Sequence, residues 1–248
     1  MKVCVVVPFY NHESAIAGVV ERIAATGLHC VLVDDGSDAR CAPVLAEIFE
    51  RHGEALTLLT LSVNRGKGVA TATGFADAAA DGYTHAIQVD ADGQHCVEDI
   101  PRFLAAARNA PHAVIAGTPI FGADVPRHRL YGRYATHFMV WINTLSFTIK
   151  DSMCGFRLYP LQPALAAWGE MRGGRRMDFD SEIIVRMFWA GVPVVNLPTA
   201  VRYPDDGVSH FALWADNVRI SVMHTRLFFG MLWRLPQLLA RRLAGKSP

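Results

Sequence analysis

Asp90 and Asp92 stand one residue apart at the end of a short apolar run, in the sequence Ala86-Ile87-Gln88-Val89-Asp90-Ala91-Asp92-Gly93-Gln94. The run predicts a buried strand. Ligands of an open α/β sheet bind beyond the carboxyl ends of its strands, and alternation would turn both carboxylates the same way. With Gln94 nearby, these hard oxygen donors suit Mg²⁺ or Mn²⁺ shared with substrate phosphates. The alternative is that the acids only shape a turn or cap a helix.

Loops after three other predicted strands also carry polar side chains. The first contains Asn11 and Glu13, the second Asp34 and Asp35, and the third reads Asn64-Arg65-Gly66-Lys67-Gly68 before a predicted helix. Because loops at the carboxyl ends of parallel strands share one crevice, these groups should converge. A lysine beside a helix N-terminus favours a phosphate. Carboxylates for a metal and a cation for phosphate indicate a nucleoside diphosphate, although the chain has neither a Walker A loop nor a G-x-G-x-x-G loop.

The elements that must position these groups alternate along the chain. Periodicity predicts strands at 3–7, 30–33, 56–61, 85–89, 113–116 and 192–197, and helices at 14–25, 44–51, 68–80, 97–107 and 180–190. Such alternation with short connections is typical of an α/β fold with a doubly wound, mostly parallel sheet. Residues 127–149 resemble an interrupted helix, and residues 151–157 a loop that enters a short strand.

Composition bears on the partners of the protein, its compartment and its relation to the membrane. The formal net charge of +1 argues against a broad basic field, so we expect no nucleic-acid partner. The five cysteines include no C-x-x-C pair, which favours reduced thiols and a cytoplasmic location. The apolar start of the chain is broken at Pro8, which leaves it too short for a signal-peptide core. No apolar run has the length that crossing a bilayer requires.

The C-terminal segment, residues 217–248, contains no acid but six cations interleaved with apolar residues such as Phe228, Phe229 and Trp233. This pattern predicts basic amphipathic helices, kinked at Pro236, that bind the membrane surface with all six cations. On this interpretation the rest of the chain should fold without the segment. The alternative is a terminal helix packed on the core.

Six motifs in order then resemble family 2 glycosyltransferases of the GT-A fold, and within them the dolichyl-phosphate mannosyltransferase group. The motifs are Pro8-Phe9-Tyr10-Asn11-His12-Glu13, Asp34-Asp35-Gly36-Ser37, Asn64-Arg65-Gly66-Lys67-Gly68, Asp90-Ala91-Asp92-Gly93-Gln94-His95, Cys154-Gly155-Phe156-Arg157 and Phe179-Asp180-Ser181-Glu182. The resemblance implies a GT-A domain at 1–210, with a nucleotide-sugar half at 1–118 and an acceptor half at 119–210, followed by the helices at 211–248. The chain departs from the family at Gly117-Thr118-Pro119, where an arginine is common, and at His210, where a lysine is common.

The resemblance also implies a role for individual residues. Metal ligands would be Asp90, Asp92 and Gln94. The catalytic residues would be Asp92, Asp180 as a candidate base, and Arg157. The nucleotide-sugar site would contain Pro8, Tyr10, Glu13, Val33, Asp35, Lys67, Asp90 and Ala91. Phosphate on the acceptor side would meet Arg157, Arg202 and His210.

The function implied is inverting, metal-dependent transfer of a sugar from a nucleotide-sugar donor to a membrane lipid, with polyprenyl phosphate as the leading acceptor. A phosphate acceptor is already anionic and needs no general base, whereas a hydroxyl of a glycolipid or polyene-type lipid does, and that acceptor is the first alternative. A non-catalytic GT-A-like nucleotide-binding protein and a nucleotidyltransferase are the others. The expected location is peripheral, on the cytoplasmic face of the membrane.

Overall fold

The computed structural model describes residues 1–120, 127–201 and 213–243, with the side chains of 127–131 and 213 left aside. In chain order the elements are β1 (Val3–Phe9), α1 (Glu13–Ala24), β2 (Cys30–Asp34), α2 (Ala42–His52), β3 (Leu56–Thr60), α3 (Lys67–Ala80), β4 (His85–Gln88), α4 (Ile100–Asn109), β5 (Val114–Ile120), α5 (Arg127–Thr144), β6 (Arg157–Pro160), α6 (Leu161–Gly169), α7 (Phe179–Trp189), β7 (Val194–Ala200) and α8 (Leu213–Leu243).

The described strands form one seven-stranded sheet in the order β3-β2-β1-β4-β6-β5-β7. Parallel pairs join β1 to β2 and β4, β2 to β3, and β5 to β7, whereas β6 is antiparallel to both neighbours. Strand β1 is buried almost throughout, as its β-branched sequence predicts for an inner parallel strand. The predicted α/β class with a mostly parallel sheet is confirmed.

Helices cover both faces of the sheet because successive side chains of a strand point to opposite faces. Val5 and Val7 of β1 pack in one core with α1, α2 and α4. Cys4 and Val6 pack in the other core with α3, α6 and α7. The carboxyl ends of β1 to β4 therefore remain open to a crevice, and β6 begins at the same edge, since Arg157 pairs with Gln88 of β4.

Three elements differ from the sequence-based expectations. The strand that begins at Arg157 is inserted antiparallel between β4 and β5. Helix α6 was not predicted, since its nine residues are too short for a clear helical period. Helix α5 is continuous where an interruption was expected, and it ends at Thr144, just before Leu145 adopts a φ of 51°.

The C-terminal segment forms one helix, α8, that continues through Pro236. Met223, Leu227, Met231 and Leu238 recur at helical spacing and are buried in the core shared with α7. Burial of each such side chain is worth about 1.5–3 kcal/mol. The alternative of a terminal helix packed on the core therefore describes α8, whereas folding of the rest of the chain without this segment stays a prediction. Across the described ranges, no helix combines the length and apolarity that crossing a bilayer requires.

The described cations of the C-terminal segment also have partners within the protein, and their binding to a membrane surface stays a prediction. Every described arginine of α8 is bonded within the protein: Arg219 to Asp216 (2.7 Å), Arg226 to Glu182 (3.3 Å), Arg234 over the Trp189 ring (4.7 Å), Arg241 to the Trp189 carbonyl (2.8 Å) and Arg242 to the Leu145 carbonyl (3.4 Å). Lys246 lies outside the described residues. The sequence pattern did not predict these contacts because four of the five arginines have partners on or next to other helices, 44 or more residues away.

Candidate active site

The loop after β3 is held in the crevice by Asp35. Its two carboxylate oxygens accept hydrogen bonds from the backbone N–H groups of Arg65 and Gly66, both at 2.7 Å. Gly66 has a φ of 102°, and an added Cβ would lie 2.3 Å from the Arg175 carbonyl, so glycine is required there. Burial raises the pKa of Asp35, and the two N–H groups partly offset this. By holding this loop, Asp35 sets the position of Lys67, which follows Gly66.

Lys67 joins two carboxylates from different parts of the chain. Its ammonium Nζ lies 2.8 Å from Asp90 Oδ2 and 2.7 Å from Asp180 Oδ2. Gln88 donates from Nε2 to the other oxygen of Asp180 at 2.9 Å. Asp90 follows β4, Lys67 begins α3 and Asp180 lies in the first turn of α7, so the fold brings three separate motifs together. The predicted convergence of an acid and a cation is present in this cluster.

The cluster is a strongly coupled charge group with little access to water. Burial disfavours the ionised forms, but Asp180 and Asp90 hold the pKa of Lys67 above its usual range. Burial likewise opposes ionisation of Asp90, yet Lys67 and His95 hold the pKa of Asp90 well below its usual range. Nε2 of His95 lies 3.2 Å from Asp90 Oδ2. Within this lysine-bridged cluster of Lys67, Asp90 and Asp180, the shifted pKa values keep Lys67 and Asp90 charged near neutral pH.

Three residues of this site were given no role by sequence reasoning, namely Gln88, His95 and Gly155. A Cβ added to Gly155 would lie 2.7 Å from both oxygens of Asp90 and 2.8 Å from Lys67 Nζ. Glycine thus allows the loop before β6 to approach the cluster. Gly155 and His95 both lie within quoted motifs, which was the available signal, whereas Gln88 stands in a strand and was interpreted only as core.

The predicted metal ligands are near one another but are not arranged as a closed site. Asp90 is bonded to Lys67, while Asp92 accepts the Gln94 backbone N–H at 3.0 Å. In the part of the chain that the structure describes, no group of three or more His, Cys, Asp or Glu side chains is arranged to hold a metal ion. Two carboxylates with oxygen ligands left to a substrate still fit Mg²⁺ or Mn²⁺, which protein sites often bind through one or two carboxylates plus phosphates.

Arg157 lies elsewhere than expected. The side chain is 0% exposed, and Nη1 donates to the Asp180 backbone carbonyl at 2.6 Å and to the Tyr159 hydroxyl at 3.3 Å. It therefore lies beneath Asp180 and offers no surface to an acceptor phosphate in this conformation. A direct contact with an acceptor phosphate stays a prediction, whereas the contacts observed are those of a side chain that supports Asp180, because the first residue of β6 turns inward between β4 and β5.

Three of the eight predicted nucleotide-sugar residues, Asp35, Lys67 and Asp90, are described above, and the other five divide into two groups. Tyr10 and Glu13 are partly exposed, and their loop is joined to the next one by the Glu13–Arg40 ion pair of 3.2 Å. Pro8, Val33 and Ala91 are buried, and Val33 and Ala91 are members of the hydrophobic cores, so their side chains are not available to a nucleotide. Arg202 and His210 lie outside the described residues.

Sequence comparison identifies relatives of this chain among known proteins. The chain is 24% identical over 221 residues to polyprenol monophosphomannose synthase from Mycolicibacterium smegmatis, which covers 87% of this chain and 82% of that protein. It is 37% identical over 111 residues to undecaprenyl-phosphate 4-deoxy-4-formamido-L-arabinose transferase from Pseudomonas aeruginosa, covering 42% of this chain. That match spans only 32% of the transferase.

Among solved structures, glucosyl-3-phosphoglycerate synthase from Mycobacterium tuberculosis, crystallised with Mn²⁺, UDP-glucose and phosphoglyceric acid, superimposes with a TM-score of 0.66. The identity is 13%, and the match covers 93% of this chain and 78% of that one, so the likeness shows the GT-A fold. The sequence profile described as Glycosyl transferase family 2 matches residues 4–177. Because that match spans more than two thirds of the chain and includes β1 to β6, the chain belongs to glycosyl transferase family 2 and is a glycosyltransferase.

Proposed function

We propose that the enzyme transfers a sugar, with inversion, from a nucleotide-sugar donor to a polyprenyl phosphate in a membrane. The acceptor oxygen forms a bond to the anomeric carbon while the bond from that carbon to the diphosphate breaks. The nucleoside diphosphate leaves with the electron pair. No proton has to be removed, because the phosphate acceptor is ionised before it reacts.

The hydrogen bonds of the Asp180 carboxylate are the observation that favours a phosphate over a hydroxyl acceptor. Its two carboxylate oxygens already accept hydrogen bonds from Lys67 and Gln88, at 2.7 and 2.9 Å. To act as a general base, Asp180 would have to give up a bond to a buried ammonium group. A hydroxyl acceptor needs such a base and a phosphate does not. The relatives that are named for undecaprenyl-phosphate and polyprenol substrates support the same acceptor class.

Lys67 would serve the leaving group in this proposal. A cation beside the diphosphate stabilises the negative charge that develops there as the sugar departs. A divalent ion held by Asp90, Asp92 and Gln94, when bound, would supply further positive charge to the diphosphate. Gly155 leaves room beside Asp90, and Asp35 holds the loop from which Lys67 extends.

The proposal places the enzyme peripherally on the cytoplasmic face of a membrane, where the lipid-linked acceptor presents its phosphate. The outward face of α8 supports this, since Trp214 and Trp233 are 85% and 86% exposed. None of the five cysteines forms a disulfide, which is in keeping with a reducing compartment. Exposed aromatic residues on an amphipathic helix are typical of binding in a membrane interface.

The test is a transfer assay with matched acceptors. The enzyme is incubated with UDP- and GDP-sugars, Mn²⁺ or Mg²⁺, and a short-chain polyprenyl phosphate or the corresponding polyprenol, and the products are identified by mass. We expect sugar transfer to the phosphate, release of a nucleoside diphosphate, and an anomeric configuration opposite to that of the donor. Transfer to the polyprenol alone would favour the hydroxyl alternative, and release of pyrophosphate would indicate a nucleotidyltransferase.

Metal dependence is tested with Asp92→Ala, which should lower turnover by roughly 10²–10³-fold as one stabiliser of transition-state charge is lost. The matched control is Asp81→Ala, which removes an exposed acid just after α3, at the far end of that helix. Addition of a chelator should abolish nucleotide diphosphate binding in calorimetry, because carboxylates repel a bare diphosphate. Unchanged affinity with chelator present would contradict the metal requirement.

A further inference from the structure

A cleft of about 360 Å³ opens between residues 171–178 and the start of α8, and its charge is unusual. Among the residues that the structure describes, its polar lining consists of five arginines and one acid: Arg65, Arg175, Arg176, Arg219, Arg226 and Asp178. The rest of the lining is glycine backbone and two valines. A concentration of positive charge of this kind favours an anionic ligand.

The single acid does not neutralise the cleft. Asp178 accepts hydrogen bonds from the backbone N–H groups of Gly174 at 2.9 Å and Arg176 at 3.1 Å, so it is engaged in shaping its own loop. Arg219 and Arg226 have acidic partners, and Arg176 donates to Asn64 at 2.9 Å.

Two arginines of the cleft have no charge partner among the described residues. Arg65 and Arg175 are exposed, and neither side chain forms an ion pair or hydrogen bond with another residue of the described part. Their guanidinium groups are therefore free for phosphate, to which the planar fork of donors is well matched.

The cleft adjoins an apolar strip on the outward face of α8. Val218 and Val222 line the cleft and are themselves 54% and 50% exposed. They belong to the apolar strip, a series of exposed side chains spaced mostly three or four residues apart: Trp214, Val218, Val222, Phe229, Trp233, Leu239 and Leu243. The strip lies opposite the buried face formed by Met223, Leu227 and Met231. Charged cleft and apolar strip together match a ligand with an anionic head and hydrocarbon chains.

We infer that the arginine cleft binds the phosphate head group of an anionic bilayer phospholipid, with the apolar strip of α8 lying in the same leaflet. This inference rests on the proposed function, because it concerns how the enzyme meets its membrane. The cleft is separate from the lysine-bridged cluster, but a backbone hydrogen bond connects the loops of the two sites. The Arg175 carbonyl accepts the Gly68 backbone N–H at 2.9 Å, next to Lys67. Head-group binding would therefore hold the loop that carries Lys67 close to the bilayer.

The experiment measures binding of full-length protein to vesicles that contain neither donor nor acceptor. Vesicles of phosphatidylcholine are compared with vesicles that also contain phosphatidylglycerol, by sedimentation at about 0.1 M salt, where screening is moderate. The double variant Arg65→Ala/Arg175→Ala is compared with Arg51→Ala/Arg108→Ala. The control pair removes the same charge from exposed positions on α2 and α4, on the opposite face of the sheet.

We expect wild-type protein to prefer anionic vesicles and the cleft variant to bind them roughly 25-fold more weakly, about fivefold for each arginine. The control pair should stay within about twofold of wild type on the same scale. Trp233→Ser should weaken binding to both kinds of vesicle, because it removes hydrophobic rather than charge attraction.

Three results would overturn the inference. Equal losses of affinity for anionic vesicles in the cleft and control variants would show that only the net charge of the protein determines binding. Release from vesicles by a nucleoside diphosphate would assign the cleft to the donor. A wild-type dimer in solution that is disrupted by Trp233→Ser, with no vesicle binding, would assign the strip to a second copy of the chain. Sugar transfer to short-chain polyprenyl phosphate in detergent is measured in parallel, so that failure here is distinguished from failure of the proposed function.

Discussion

Replacing Lys67 with methionine removes the charge that separates two carboxylates while keeping the length of the side chain. Nζ lies 2.8 Å from Asp90 and 2.7 Å from Asp180, so these oxygens are no more than about 5.5 Å apart. At an effective dielectric constant of about 20, two negative charges at this distance repel by about 3 kcal/mol. Loss of one partner from a buried ion pair costs about 3–5 kcal/mol in total.

Lys67→Met should therefore lower the free energy of unfolding of the metal-free enzyme by about 3–5 kcal/mol. For a chain of this length, that loss corresponds to a decrease of roughly 6–20 °C in Tm. A divalent ion should restore part of the loss, because it replaces the missing positive charge next to Asp90. In the wild type the ion must compete with Lys67, so its stabilising effect should be smaller there.

Thermal unfolding with chelator and with Mn²⁺ measures both effects. The matched control is Lys150→Met, which removes a lysine that is exposed to solvent. A metal-free Tm for Lys67→Met within about one degree of wild type would refute the coupling on which the 3–5 kcal/mol rests. An equal increase in Tm on addition of Mn²⁺ in the wild type and in Lys67→Met would show that Lys67 does not neutralise the carboxylate that the ion is proposed to use.

Three further variants test other contacts. Burial lowers the pKa of His224 to about 4, whereas it is about 6.5 in an unfolded chain, so the unfolded state binds more protons below pH 6.5. Stability should decrease by about 2 kcal/mol between pH 7 and pH 5, and His224→Gln should remove most of that slope in urea unfolding. Gly155→Ala should lower the free energy of unfolding by about 1–3 kcal/mol and also lower kcat, because the added Cβ would displace Asp90. Unfolding and turnover of this variant are measured together. Arg157→Met should lower kcat by roughly tenfold through lost positioning of Asp180, with nucleotide affinity by calorimetry unchanged.

Local patterns were sufficient for most of the sheet and for the position of the crevice. The β-branched residues of β1 and the alternation of strands with helices specified the fold class, because burial on both faces of a parallel sheet demands such sequences. The loop acids after β2 and β4 were found because strand ends in this class form one edge. The roles of Asp92, Gln94, Arg202 and His210 stay predictions.

Tertiary structure alone decided which groups are partners. Lys67 and Asp180 are 113 positions apart, and no periodicity relates them. The inward turn of Arg157 depends on β6 being inserted antiparallel, which a strand's own sequence does not specify. The arginines of α8 looked free because a helical pattern gives their spacing but not the acids and carbonyls of neighbouring helices. Sequence expresses local periodicity and composition, whereas side-chain pairing across the fold follows from packing, and the charge of this site arises from that pairing.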